Sequence, residues 1–175
     1  MRMNNIEGLY DSEGFMMHCA VASCLLERFD LDPHTKHHIR GAVREATKKV
    51  TPISGKGKDI ASTISVGVYE KIVNGELAGL VLEHAIPVSY INELVLTLKG
   101  YSTPEKIADI VLTWTVLTVI TVEEHEKLSS LKLGKSMPAD WNGNSKYARY
   151  NKAGIEVLDI GYKEAVKKSR LGFTP

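Results

Sequence analysis

Cysteine is scarce in this chain. Cys19 and Cys24 are the only two among 175 residues and share one apolar segment. Without a second pair they make neither a four-donor zinc cage nor the dense disulfide framework of a small secreted domain. Buried free thiols in a reducing compartment are the expectation. Long apolar runs are missing as well. The richest stretch, Ile107 to Ile120, is too short for a bilayer span and contains Asp109. The amino-terminal Met-Arg-Met-Asn-Asn-Ile-Glu-Gly has no apolar core behind a basic start. A cytoplasmic protein with no membrane partner is therefore expected. Nor is there an excess of one charge: 22 Lys and Arg against 21 Asp and Glu leave +1. That balance argues against a scaffold that binds nucleic acid through its bulk field, but leaves room for a local basic groove. Internal repeats and low-complexity segments are absent too.

What is present is an ordinary core supply, 43% hydrophobic and 25% charged residues, enough for one compact domain. Apolar residues from Ser12 to Phe29 recur near the helical period. Asp32-Pro33 reads as an N-cap and first helical residue opening a helix to about Val50. Thr51-Pro52 breaks it. Asp59 is placed to cap a helix over Ile60 to Val73, ending at Asn74-Gly75. Gly79 to Glu83 reads as a strand, Val88 to Leu98 as a helix, and Pro104 opens another. From Thr115 to Val122 the β-branched density favours a second strand, followed by a helix to Leu131. Gly134 to Ser145 is a loop, and Lys146 to Arg170 is mostly helical, interrupted at Gly154 and Gly161. The expected fold is mainly α with a short two-stranded β element, an α+β domain in three stretches. These are a helical part over 1–75, a candidate core over 76–131, and a loop with C-terminal helices over 132–175.

Several basic groups have phosphate-binding spacing. Lys36, Arg40, Arg44 and Lys48 fall four apart on one helix, as either a solvated face or a stripe that tracks a phosphate backbone. Lys56 and Lys58, in Ser54-Gly-Lys-Gly-Lys, precede a helix start and make a workable anion site. The glycine-lysine pattern of nucleotide hydrolases is absent. Tyr147, Arg149 and Tyr150 are groups that stack on bases or grip a phosphate. Lys163, Lys167, Lys168 and Arg170 add charge to the tail. His34 and His38 are four apart, a spacing competent for metal, yet no Glu follows in the zinc-protease order.

The densest chemistry is Glu83-His84, in Gly79-Leu-Val-Leu-Glu-His-Ala-Ile-Pro87. An imidazole titrating near neutrality suits a general base. Neighbouring side chains on a strand point to opposite faces, so a shared role requires the strand to end there. His125, in Thr121-Val-Glu-Glu-His-Glu-Lys-Leu128, supplies a nitrogen donor on the helix that follows the second strand.

Glu83-His84-x-x-Pro87, a further strand and a helix with Glu124-His125 resemble the ββα-metal core of the HNH (His-Me finger) endonucleases. The likeness covers Gly79 to Leu131. It implies His84 as general base and Glu83 and His125 as ligands of a divalent cation (Mg, Mn, Ni or Zn). It also implies nucleic acid as partner, with Arg40, Arg44, Lys56, Lys58 and Arg149 on the phosphates. The family's Asn between the histidines has its only candidate in Asn92, on a predicted helix. The alternative is a non-catalytic helical binding or inhibitor protein that sequesters a small ligand or a protein partner and self-associates or holds that partner.

Overall fold

The computed structural model describes residues 13–50 and 57–171. Its helices are α1 (Glu13–Arg28), α2 (Pro33–Val50), α3 (Val66–Val73), α4 (Val88–Leu96), α5 (Pro104–Trp114), α6 (Val122–Ser130), α7 (Ala148–Lys152) and α8 (Tyr162–Arg170). The strands are β1 (Thr63–Ser65), β2 (Leu80–His84), β3 (Leu117–Thr121) and β4 (Val157–Leu158), and a 3-10 turn spans Gly57–Ile60. The protein is thus α+β and mainly helical, with a small four-stranded sheet among the described residues. The chain forms two compact units, one from Met1–Ser54 with Val88–Thr115, the other from Gly55–Pro87 with Val116–Pro175. Neither follows the sequential division at 75 and 131, because Val88–Thr115 leaves the strand-bearing unit and joins the first helices. Sequence spacing alone carries no sign of that exchange.

The first unit is helical. Asp32 caps α2 as read: one carboxylate oxygen accepts from His34 N and Thr35 N, the other from Thr35 Oγ1. These bonds to Thr35 hold its carboxyl below the usual range. Thr103 caps α5 with Pro104 in its first turn. Phe15, Cys19, Ala22 and Leu26 of α1, Ile39 and Val43 of α2, Ile91 and Val95 of α4, and Ile107 and Val111 of α5 are buried. Burial pushes the Cys19 thiol up to about 12, Glu105 adding to it, so it stays protonated. Cys24 is exposed, against the expectation that both thiols are buried.

The second unit is built on a four-stranded sheet in the order β2-β3-β1-β4. β2 and β3 are antiparallel, from Leu80 opposite Thr121 to His84 opposite Leu117. β1 runs parallel to β3 and antiparallel to β4. The two-stranded expectation identified β2 and β3. β1 lies inside the stretch read as a helix from Ile60, and β4 inside the helical tail. With three and two residues, these strands are too short to show a period of two. Ser65, not Asp59, caps α3.

The sheet is covered on both faces. Ile64, Leu80, Leu117 and Val119 pack with Val68 and Ile72 of α3 and Ala165 of α8. Ala85 and Ile120 pack on the other side with Leu128 of α6, Tyr150 of α7 and Ala153 just after it. Thr121 and Glu124 form a capping box at the start of α6, and Ser65 Oγ donates to the same Glu124 oxygen at 2.6 Å. A Cβ at Gly67 would lie 3.0 Å from Glu124 Oε1 and 3.3 Å from Thr121 Cγ2. The small residue is what lets α3 begin against that cap.

Candidate functional site

On β2 the pleat alternates side chains between the two covered faces. Leu80 and Leu82 belong to the α3 and α8 side, Val81 and Ala85 to the α6 and α7 side. Glu83 therefore turns toward α6 and α7, and His84 the opposite way. Both residues lie within the strand, so its end does not bring the pair onto one ligand. This corrects the joint role expected of them.

Glu83 does meet His125. The order β2, β3, α6 places His125 one turn before the buried Leu128, on the sheet-facing side of the helix. Its Nδ1 lies 3.6 Å from Glu83 Oε2. The other carboxylate oxygen is occupied: Arg149 Nη2 donates to Glu83 Oε1 at 2.5 Å. The same nitrogen donates to the His84 carbonyl, Nε to the Ala85 carbonyl at 2.9 Å, and Nη1 to the carbonyls of Leu133 and Gly134. Arg149 has 0% side-chain exposure and Glu83 17%. The guanidinium sits 5.3 Å from the Tyr150 ring centroid, and burial pushes the Tyr150 phenol up.

Arg149 is therefore not a phosphate contact. It joins the end of β2, the segment after α6 and α7 in one saturated network. The network also decides the fit of a divalent cation. A metal at Glu83 would face a guanidinium bonded to the same carboxylate, with the His125 imidazole as the second donor. Among the described residues no group of three or more His, Cys, Asp or Glu side chains is arranged to hold a metal ion. The donor set does not fit the cation that the HNH resemblance implies for Glu83 and His125. His84 Nε2 and His125 Nδ1 are buried without a hydrogen-bond partner. Burial holds the His84 pKa below its ordinary value; Glu83 opposes that and Arg149 reinforces it.

The other expected contacts are scattered. In the first unit Arg40 is paired with Glu93 at 2.7 Å, Lys48 with Glu45, and Arg44 is exposed. The stripe is partly neutralised by its own helices. Lys58 lies half-buried on the 3-10 turn, and Lys56 lies outside the described residues. Asn92 is buried on α4.

A feature of the second unit was only half visible in the sequence. A groove of about 630 Å³ is lined by Asp59, Leu77, Tyr162, Lys163, Val166, Lys167, Arg170 and Leu171. Leu77 and Leu171 are exposed. Lys163, Lys167 and Arg170 recur at i, i+4 and i+7 along α8, one face of a helix. They make no ion pair among the described residues, whereas neighbouring Lys168 pairs with Glu164 at 2.9 Å. The stripe is readable from spacing, but Leu77 comes from the segment between α3 and β2, which no local pattern connects to α8. No helix among the described residues is long and apolar enough to cross a membrane. No protein-family model, curated protein or solved structure matches the chain.

Proposed function

We propose that this chain is a non-catalytic binding protein whose groove along α8 takes a small anionic ligand with an apolar body. The carrying observation is the lining: three cations that make no ion pair among the described residues, beside exposed Leu77 and Leu171. Its volume falls among small-ligand sites, which run to roughly 300–1,000 Å³. An apolar patch bordered by like charges marks a surface that gains by being covered, and charge complementarity selects an anion. Asp59 on the same lining disfavours a second negative group next to it.

A metal-dependent nuclease centred on Glu83, His84 and His125 is the rival reading. The β2-β3-α6 order and the Glu83–His125 approach favour it, but the guanidinium on Glu83 weighs against it. One pair of experiments separates the two. Titration with 1-anilinonaphthalene-8-sulfonate, an apolar anion, is expected to give saturable fluorescence at one site per chain. Lys167→Glu with Arg170→Glu is expected to abolish that signal without loss of fold. A signal unchanged in the double variant, or none in the parent, overturns the binding reading. Plasmid cleavage supported by Mg, Mn, Ni or Zn and lost in His84→Ala establishes the rival instead.

A further inference from the structure

We propose that His34 and His38, on the exposed side of α2, chelate one divalent transition-metal ion through their Nε2 atoms. The helix sets the two residues four apart and one above the other. Their Nε2 atoms approach to 3.1 Å, with ring centroids 4.4 Å apart and planes 83° from parallel. Metal–imidazole bonds are roughly 2.0–2.1 Å long. Two such bonds spanning that separation meet at roughly 100°, between the octahedral and tetrahedral angles. The two donors are already at chelating distance.

Both side chains are exposed, so an ion reaches them without any rearrangement of the helix. Without metal, the two nitrogens share a single hydrogen as donor and acceptor, and each ring's other nitrogen carries the proton when both turn toward a cation. The amino terminus of α2 opposes a positive ion. The Asp32 carboxylate at that same end, which accepts from His34 N at 2.7 Å, offsets the opposition. Two protein donors leave coordination positions open to water or to a donor from another molecule. Imidazole donors favour Cu, Ni and Zn over Mg or Ca. The pair belongs to the first unit, and the proposal depends on neither the Glu83 network nor the groove on α8.

His37 supplies the control. Its ring lies 5.6 Å from that of His38, and both line a groove with His18 and Glu45, but His37 is not part of the close Nε2 pair. Calorimetric titration of the full chain with NiCl2, ZnCl2 and CuSO4 is expected to show one ion per chain. His34→Ala and His38→Ala are each expected to weaken binding by about tenfold or more, because one donor loses the other's local concentration. His37→Ala is expected to change it by less than about threefold. The Cu-loaded chain is expected to show two-nitrogen hyperfine coupling, reduced to one nitrogen in either single variant. Circular dichroism checks that the variants stay folded. Equal affinity in the parent and His38→Ala, or an equal loss in His37→Ala, overturns the assignment.

Discussion

Arg149 and the cations of α8 belong to the same unit and carry the same charge, yet they end in opposite circumstances. Arg149 is wholly buried, with four carbonyls and one carboxylate around its guanidinium. Lys163, Lys167 and Arg170 line an open groove and make no ion pair among the described residues. A buried charge is tolerated only where every donor is met, so Arg149 is committed to holding β2, α7 and the segment after α6 together. A solvated charge costs the fold little and stays available to a ligand. Where a cation sits thus separates the one that holds this unit together from those left to solvent.

Breaking the buried side gives the largest effect. Arg149→Ala leaves Glu83 uncompensated and four carbonyls short of a donor, and is expected to cost about 3–5 kcal/mol. Urea unfolding monitored by circular dichroism measures that loss. Adding Glu83→Gln to Arg149→Met is expected to recover part of it, since the remaining groups are then neutral. No recovery in the double variant would show that the carbonyl contacts, not the ion pair, carry the network.

Glu124 is the next test, as an acid that is met rather than a cation that is met. It accepts from Thr121 N at 2.8 Å and from Ser65 Oγ at 2.6 Å. Glu124→Ala removes both, and about 1–2 kcal/mol is expected to be lost by the same measurement. His84 is the contrasting case, a ring whose Nε2 has no partner. Burial lowers its pKa from 6.5. Between that value and the lower folded one, the unfolded chain binds more protons than the folded chain. Stability is therefore full above the unfolded pKa and declines as pH falls through it toward the folded pKa. Comparing denaturation midpoints across that window, His84→Gln is expected to flatten the decline; an unchanged slope would assign it to other groups. The smallest effect belongs to the groove. Lys167→Glu with Arg170→Glu is expected to move stability by no more than about 0.5 kcal/mol while removing anion binding. A larger loss of stability would erase the distinction between the two sets of cations.

The legible parts of this molecule were those written locally. Asp32-Pro33 announces a helix start through a side-chain acceptor and a proline, Pro104 announces another, and both helices begin there. β2 and β3 are long enough to show an apolar run and β-branched density respectively, and their order before α6 brought Glu83 to His125. β1 and β4 were invisible because two or three residues owe their strand form to neighbours far along the chain. Arg149 was misplaced for a related reason. Its carboxylate partner is 66 residues away, and in sequence it sits among tyrosines, as an exposed nucleic-acid contact does. Burial of a single cation is a tertiary fact with no local signature.

The antiparallel β2-β3 pair has a consequence for synthesis. Ala85 N donates to the Val116 carbonyl at 2.7 Å, closing a ladder whose two sides are separated by all of Val88–Thr115. At about 5–20 residues per second, β3 follows β2 from the ribosome by a few seconds. During that interval α4 and α5 emerge and complete the first unit's helices, while Leu80-Val81-Leu82 waits as an unpaired apolar strand. The helical unit is the first able to close, and the sheet begins only when Leu117 arrives. In the growing chain, the segment interrupting the hairpin sets the timing of its nucleus.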